Sequence, residues 1–104
     1  SGVAIRIEAS KAPVLAGALE YAKRGILTGG AERNRKYLTD KVRVGAGVPE
    51  PLEHVLFDPQ TSGGLLLALA PERAQDAEAA FKAAGLPLFS VGAVVEGTGV
   101  GVGL

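Results

Sequence analysis

The stretch FDPQTSGGLLLALAPE, residues 57–72, constrains the fold more than any other part of the chain. Within it, residues 65–69 consist only of leucine and alanine, a pattern typical of a strand that is covered on both faces. We therefore expect residues 65–69 to form the central strand of a sheet. Pro71 stands where proline fits the first turn of a helix, which predicts that the strand leads directly into a helix.

The rest of the chain alternates between strand and helix patterns. Further strands are predicted over residues 3–8, 42–44, 88–95 and 100–104, and helices over residues 10–25, 29–38, a short stretch near Pro51, and 71–84. This order predicts an α+β domain of two layers. Its sheet is expected to be mixed or antiparallel, with about four strands and with helices mainly on one face.

Length and composition favour one domain in an aqueous compartment. The chain has 104 residues, 47% of them apolar, which is enough for a single compact core. No apolar run reaches the roughly 18 residues that span a bilayer, and the amino-terminal residues do not resemble a signal peptide. We therefore expect a cytoplasmic location and no membrane partner. The absence of methionine indicates a processed chain or a piece of a longer one.

Charge is distributed unevenly along the chain, although the formal net charge is zero. Residues 23–43 contain seven basic and two acidic residues, so the remainder carries an equal excess of acidic ones. A basic segment in a neutral chain with few aromatics suits a small anion or an acidic surface better than nucleic acid. A solvated helix face without a ligand explains the same pattern, and this alternative stays open.

The loop DPQTSGG has the chemistry of an anion site. The hydroxyl groups of Thr61 and Ser62 can donate hydrogen bonds, and Gly63 and Gly64 allow the backbone to come close to a ligand with its N–H groups exposed. An ordinary entry into a buried strand has the same composition. The loop matches neither the P-loop nor the dinucleotide pattern, so both interpretations remain open.

A second glycine pair offers a similar pattern in TGGAERN. Gly29 and Gly30 open a predicted helix, whose first N–H groups lack partners within the helix, and Arg33 and Asn34 follow one turn later. The alternative is a plain helix start with Arg33 in solvent. Asn34 has a structural alternative too, a hydrogen bond to the neighbouring backbone.

Catalytic groups are scarce. With no cysteine and a single histidine, the chain has no thiol nucleophile and no Cys-based or His-based metal site. His54 has no carboxylate marked as its partner by spacing and is interpreted as a packing or capping residue. Asp58 precedes Pro59 and is interpreted as a turn former. We expect no catalytic residue and no metal ligand in this chain.

Three stretches together resemble a known family. LFDPQTSGGLLLALAPERA, SGVAIRIEASKAPVLAGALEYAKRGILTGGAERNRKYL and VGAVVEG are similar, in this order, to the carboxy-terminal domain of selenophosphate synthetases (selenide, water dikinases). That family lies within the aminoimidazole-ribonucleotide synthetase superfamily. The resemblance covers nearly the whole chain, and the pair QTSGG and GG…RN is its most specific part.

The resemblance implies a reaction in which ATP, selenide and water give selenophosphate, AMP and phosphate, with magnesium. It implies that residues 1–104 are the carboxy-terminal domain of a larger two-domain, homodimeric enzyme whose amino-terminal domain binds ATP. The family's reactive Cys or selenocysteine and its Lys have no counterpart here, so the isolated domain is expected to be inactive and to bind no cofactor tightly. The positions that match the family's motifs, and that are expected to line a cleft handling phosphate, are Thr61, Ser62, Gly63, Gly64, Gly29, Gly30, Arg33 and Asn34.

Two alternatives remain beside this hypothesis. The first is a domain of another ATP-dependent synthetase of the superfamily, acting in purine biosynthesis or hydrogenase maturation. The second is a non-catalytic binding or dimerisation module whose apolar edge pairs with a partner. The exact DPQTSGG text favours the selenophosphate synthetase family over the first.

Overall fold

The computed structural model describes residues 2–104 and contains one mixed sheet of four strands. The strands are β1 (Val3–Glu8), β2 (Val42–Val44), β3 (Gly92–Glu96) and β4 (Gly99–Gly103), in the spatial order β2-β4-β1-β3. β1 is antiparallel to β3 and parallel to β4, and β4 is parallel to β2. The predicted α+β class with a mixed sheet of about four strands is confirmed.

β1 and β4 are the two central strands of the sheet. Its alternation of Val3, Ile5 and Ile7 with other residues is the period of a strand, as the sequence predicted. β3 and β4 follow each other in the chain but lie on opposite sides of β1, with Val3 paired to Glu96 and Ala4 to Gly99. The link between them must turn sharply past the start of β1. It does so with glycines at positions 97 and 99, whose φ angles are 127° and 79°.

The described residues also form four α-helices: α1 (Ala18–Lys23), α2 (Gly29–Tyr37), α3 (Glu50–Leu56) and α4 (Pro71–Ala83). Proline stands in the first turn of both α3 and α4, where its missing N–H costs nothing. α4 is followed by Gly85 at a φ of 67°, the left-handed residue that commonly terminates a helix. The predictions of α2, α3 and α4 are confirmed.

The helix predicted over residues 10–25 is wrong in its first half. Ala9–Lys11 form a 3₁₀ turn, and the chain is then irregular until α1 begins after Gly17. Gly17 has a φ of 87°, which no right-handed helix accommodates, and Pro13 has no N–H to continue a helical ladder. The apolar residues do have helical spacing, but the backbone of Gly17 and Pro13 prevents this segment from forming a helix.

The strand predicted over residues 65–69 is also wrong. These residues are irregular and exposed, and Leu65 and Leu66 keep 89% and 67% of their surface accessible. The centre of the sheet is taken by β1, which alternates rather than being apolar throughout. A continuous apolar run indicates a segment that is stabilised by burial, but it does not show which part of the protein covers that segment. The strand predicted over 88–95 begins only at Gly92.

The tightly packed part of the molecule lies around the first three helices. Ala9, Ala22, Ala31 and Val48 are the buried apolar residues among those described, and α1 and α2 both pack against α3. Small side chains at these positions allow the backbones to come close. Across residues 2–104, no helix combines the length and the apolar character needed to cross a membrane.

Candidate functional site

The hydroxyl group of Thr28 connects the two glycine motifs. Thr28 is the residue before α2, and its Oγ1 accepts a hydrogen bond from the N–H of Ala31 at 3.1 Å, which caps the helix. The same hydroxyl donates to Oδ1 of Asp58 at 2.6 Å. Asp58 begins the DPQTSGG loop, so one side chain both starts α2 and holds the loop against it.

Two further contacts fix the motifs to each other. Nδ2 of Asn34 donates to the carbonyl oxygen of Phe57 at 2.9 Å, in a partly buried position. One turn earlier in α2, Gly30 lies so close to the ring of Pro59 that an added Cβ would overlap the ring carbons. The glycine is therefore required by close approach of the two segments rather than by flexibility. The predicted cleft-lining motifs are brought together, although they lie about thirty positions apart in sequence.

The loop itself turns at Ser62, the one non-glycine residue among those described with a positive φ, 54°. Nε2 of Gln60 donates to Oδ2 of Asp58 at 3.0 Å, which uses the second carboxylate oxygen. A Cβ at Gly63 would lie 2.8 Å from the Cβ of Gln60, so Gly63 is required by packing within the loop. A Cβ at Gly64 meets no heavy atom within 4 Å, and Gly64 therefore faces open space.

Arg33 is an exposed cation beside the start of α2. Its Nη1 would lie 3.2 Å from a Cβ placed on Gly29, so the guanidinium folds back towards the helix amino terminus. No carboxylate within residues 2–104 lies within ion-pair distance of it. Arg35 differs, since its Nε pairs with Oε1 of Glu53 at 2.8 Å and joins α2 to α3. Of these two arginines, Arg33 is the one available to an anion.

A cleft of about 480 Å³ opens next to the joined motifs. Thr28, Asp58, Gln60 and Gly64 line its polar side. The opposite side is mainly apolar and comes from the segment before α1, from α1, from the link between α1 and α2, and from α3; its larger side chains are Val14, Leu15, Tyr21, Ile26, Leu27, His54, Val55 and Leu56. Of the eight positions predicted to line a cleft, all within the described residues, only Gly64 lines this one; the other lining residues from the two motifs are Thr28, Ala31, Asp58 and Gln60.

The remaining titratable groups do not assemble into a catalytic or metal centre in the part of the chain described. His54 lies on α3 with 11% of its side chain exposed, and its Nε2 is 4.0 Å from Oε1 of Glu50 one turn earlier. This is the packing position that the sequence suggested. Across residues 2–104, no group of three or more His, Asp or Glu side chains is placed to hold a metal ion.

Thr28 is the structural residue that the sequence interpretation missed. A threonine directly before a glycine pair that opens a helix is a standard N-cap signal and was available in the sequence. Asp58 was identified only as a turn former, because its partner lies 30 positions away. Asn34 bonds a distant carbonyl, 23 positions away, rather than the neighbouring backbone considered for it.

The whole chain, residues 1–104, matches the family described as AIR synthase related protein, C-terminal domain. The chain therefore belongs to this family of carboxy-terminal domains. The four-stranded mixed sheet with its helices agrees with that assignment.

Individual relatives narrow the resemblance from this family to one kind of enzyme. A protein of Pelobacter propionicus named selenide, water dikinase is 46% identical over 97 residues, which cover 92% of this chain and 28% of that relative. Proteins of the same name from Agathobacter rectalis and Burkholderia pseudomallei are 46% and 39% identical and cover 86% and 93% of this chain. The resemblance to selenide, water dikinases is thereby confirmed. The chain spans only 26% to 28% of the length of these three relatives.

Proposed function

We propose that this chain is the carboxy-terminal domain of a selenophosphate synthetase and supplies one wall of the site that handles the phosphates of ATP. The single observation that supports this most is the joining of the two glycine motifs by Thr28 and Asp58 at the edge of a cleft. The complete enzyme converts ATP, selenide and water into selenophosphate, AMP and phosphate. It is proposed to be cytoplasmic and homodimeric, with an amino-terminal domain that binds ATP.

The chemistry of the joined motifs suits phosphate. Arg33 is exposed and without a carboxylate partner in the described residues, and a guanidinium binds phosphate oxygens in a planar, bidentate geometry. The hydroxyl groups of Thr61 and Ser62 and the backbone N–H groups around Gly63 and Gly64 add neutral donors. Both carboxylate oxygens of Asp58 accept hydrogen bonds, one from the Thr28 hydroxyl and one from the Gln60 amide; these neutral donors orient the carboxylate but do not neutralise it.

The residues present fit the phosphates of ATP but do not fit magnesium. ATP supplies the phosphoryl group when it is bound, and this chain would hold its phosphate oxygens through Arg33, Thr61 and Ser62. Mg²⁺ in nucleotide sites is held by carboxylates together with phosphates. The carboxylate at the joined motifs is that of Asp58, and both its oxygens are engaged by Thr28 and Gln60. The magnesium ligands and the catalytic Cys or selenocysteine and Lys are therefore assigned to the remainder of the enzyme.

Variants of the full-length enzyme test the proposal through ATP-dependent selenophosphate formation. Arg33→Ala removes the cation and is expected to lower kcat/KM for ATP by about tenfold, the effect of losing one charge-assisted hydrogen bond. Gly64→Val places a branched side chain in open space beside the cleft, so it is expected to lower activity without lowering the melting temperature.

Arg73→Ala is the matched control, because Arg73 is an exposed arginine on α4 whose nearest carboxylate, Asp76, is 3.7 Å away. Its kinetics are expected to equal those of the wild type. Unchanged kinetics in both Arg33→Ala and Gly64→Val would contradict the proposal and reduce the motifs to structural roles. If the full-length enzyme were inactive with selenide but active on another substrate, the result would favour the alternative that it is a different synthetase of the superfamily.

A further inference from the structure

The side-chain amide of Gln60 is held in one orientation beside the cleft. Its Nε2 donates to Oδ2 of Asp58 at 3.0 Å, and because an ionised carboxylate only accepts hydrogen bonds, the amide nitrogen must be the atom that faces Asp58. The amide oxygen, Oε1, therefore points away from Asp58. Among residues 2–104, no group donates a hydrogen bond to this oxygen. Gln60 thus offers one acceptor oxygen and one remaining N–H donor.

Three further contacts fix this orientation. Oδ1 of Asp58 accepts from the hydroxyl of Thr28 at 2.6 Å, so the carboxylate does not turn freely. The hydroxyl is anchored in turn, since it accepts from the N–H of Ala31 at 3.1 Å at the start of α2. At the base of the side chain, a Cβ at Gly63 would lie only 2.8 Å from the Cβ of Gln60. The amide is therefore placed by a series of contacts that begins in a helix.

The position of Gln60 matches a need of the reaction proposed above. Gln60 lines the polar side of the cleft, and it directly precedes the hydroxyl groups of Thr61 and Ser62, to which phosphate contacts are assigned. In that reaction one phosphoryl group of ATP passes to selenide and another passes to water. Water is a weak nucleophile and needs a group that orients it against phosphorus, a task that a glutamine amide performs in GTP-hydrolysing enzymes.

We propose that Gln60 is a catalytic residue that orients this water molecule, although the sequence predicted no catalytic residue in the chain. Oε1 accepts a hydrogen bond from the water, and the remaining N–H of Nε2 donates to an oxygen of the phosphoryl group under attack. One fixed amide then holds nucleophile and electrophile together, which lowers the entropic part of the barrier. This role rests on the function proposed above.

The step balances without a further reactant. The terminal phosphoryl group of ATP goes to selenide, a stronger nucleophile than water, and leaves ADP. The water oxygen then forms a bond to the terminal phosphorus of ADP, while the bond from that phosphorus to the oxygen it shares with the AMP part breaks. The electron pair of the broken bond stays on that oxygen of AMP. One proton of the water remains on the new phosphate, and the other leaves to solvent.

The nucleotide products of the full-length enzyme test the assignment. In Gln60→Ala, transfer to water is expected to slow by at least about tenfold, while transfer to selenide changes by less than about twofold. ADP is therefore expected to accumulate ahead of AMP in a single turnover. Gln75→Ala is the matched control, because Gln75 is an exposed glutamine on α4 outside the cleft. Its ratio of ADP to AMP is expected to equal that of the wild type.

Asp58 and Thr28 act as positioning residues, and their variants separate orientation from stability. Asp58→Asn replaces a group that only accepts with an amide that also donates, so Gln60 can turn its oxygen inward, and ADP is expected to accumulate as in Gln60→Ala. Thr28→Val removes the hydroxyl that holds Asp58. Thr28→Ser keeps this hydroxyl and is expected to accumulate at least about fivefold less ADP than Thr28→Val.

The outcomes distinguish this role from the proposed function. An unchanged ratio of ADP to AMP in Gln60→Ala, with selenophosphate still formed, would overturn the role of Gln60 and leave the proposed function standing. Equal slowing of both transfers would overturn it as well, since it would indicate a structural loss. A wild-type full-length enzyme that forms no selenophosphate would overturn both.

Discussion

At the residue scale, close packing acts together with the Thr28–Asp58 hydrogen bond to hold the two motifs together. Gly30 and Pro59 touch so closely that position 30 has no room for a side chain, and the Asn34 amide bonds the carbonyl of Phe57 nearby. Such contacts tolerate little change in volume, because packed interiors do not yield to an added methyl group without strain. The shape of the surface that we propose faces phosphate therefore depends on residues that need not touch a ligand.

Gly30→Ala tests this directly. The new Cβ overlaps the Pro59 ring, so we expect a loss of about 1–3 kcal/mol in the free energy of unfolding, measured by urea denaturation. Gly29→Ala is the matched control in the same first turn of α2, because its Cβ meets only the mobile end of Arg33. Equal stability of the two variants would show that α2 and the loop are not held in contact at position 30.

The sequence predicted some of these residues but not their partners. Gly29 and Gly30 were identified as a helix start, which is local information, and together with Arg33 and Asn34 they were identified as site residues by their match to the family's motif. The contacts of Asn34 with Phe57 and of Thr28 with Asp58 span 23 and 30 positions and depend on how α2 packs near α3. Local patterns carry no information about such distant pairs.

At the element scale, α2 and α3 are joined by one ion pair that is partly shielded from water. Glu53 keeps only 13% of its side chain exposed and meets Arg35 at 2.8 Å. The pair Lys23 and Glu20 lies within α1 with more than half of each side chain exposed. The first pair therefore contributes to the placement of one helix on another, whereas the second stabilises a single turn.

A double-mutant cycle on Arg35→Ala and Glu53→Ala is expected to give a coupling free energy of about 1 kcal/mol, at the upper end for ion pairs at a surface. The cycle on Lys23→Ala and Glu20→Ala is the comparison and should give about 0.3 kcal/mol. Both are measured by chemical denaturation at low salt. A coupling for Arg35 and Glu53 no larger than that of the exposed pair would exclude a role in joining α2 to α3.

Elements were predicted best where local signals agree. α4 has proline at its start and glycine after its end, and β1 alternates over six residues, so both were predicted from the sequence. The predicted helix over residues 10–25 and the predicted strand over residues 65–69 were wrong for different reasons. For residues 10–25, the left-handed conformation of Gly17 overrides the helical spacing of the apolar residues. For residues 65–69, strand formation depends on long-range topology, because a strand needs a partner that is distant in sequence.

At the scale of the whole molecule, this domain has an apolar cleft beside the two joined glycine motifs, and the relatives it resembles are three to four times longer. Leu15 and Tyr21, which line the cleft, keep 79% and 55% of their surface exposed. Exposed apolar residues around a concave surface are typical of contacts with another part of a protein.

The central claim is that the two glycine motifs act as one phosphate-handling site. A kinetic double-mutant cycle in the full-length enzyme tests it most directly, with Arg33→Ala, Thr61→Ala and the double variant assayed for kcat/KM in ATP-dependent selenophosphate formation. If both side chains serve the same phosphate, their effects are expected to be non-additive by about 1 kcal/mol or more. Effects that add to within about 0.3 kcal/mol would contradict the claim.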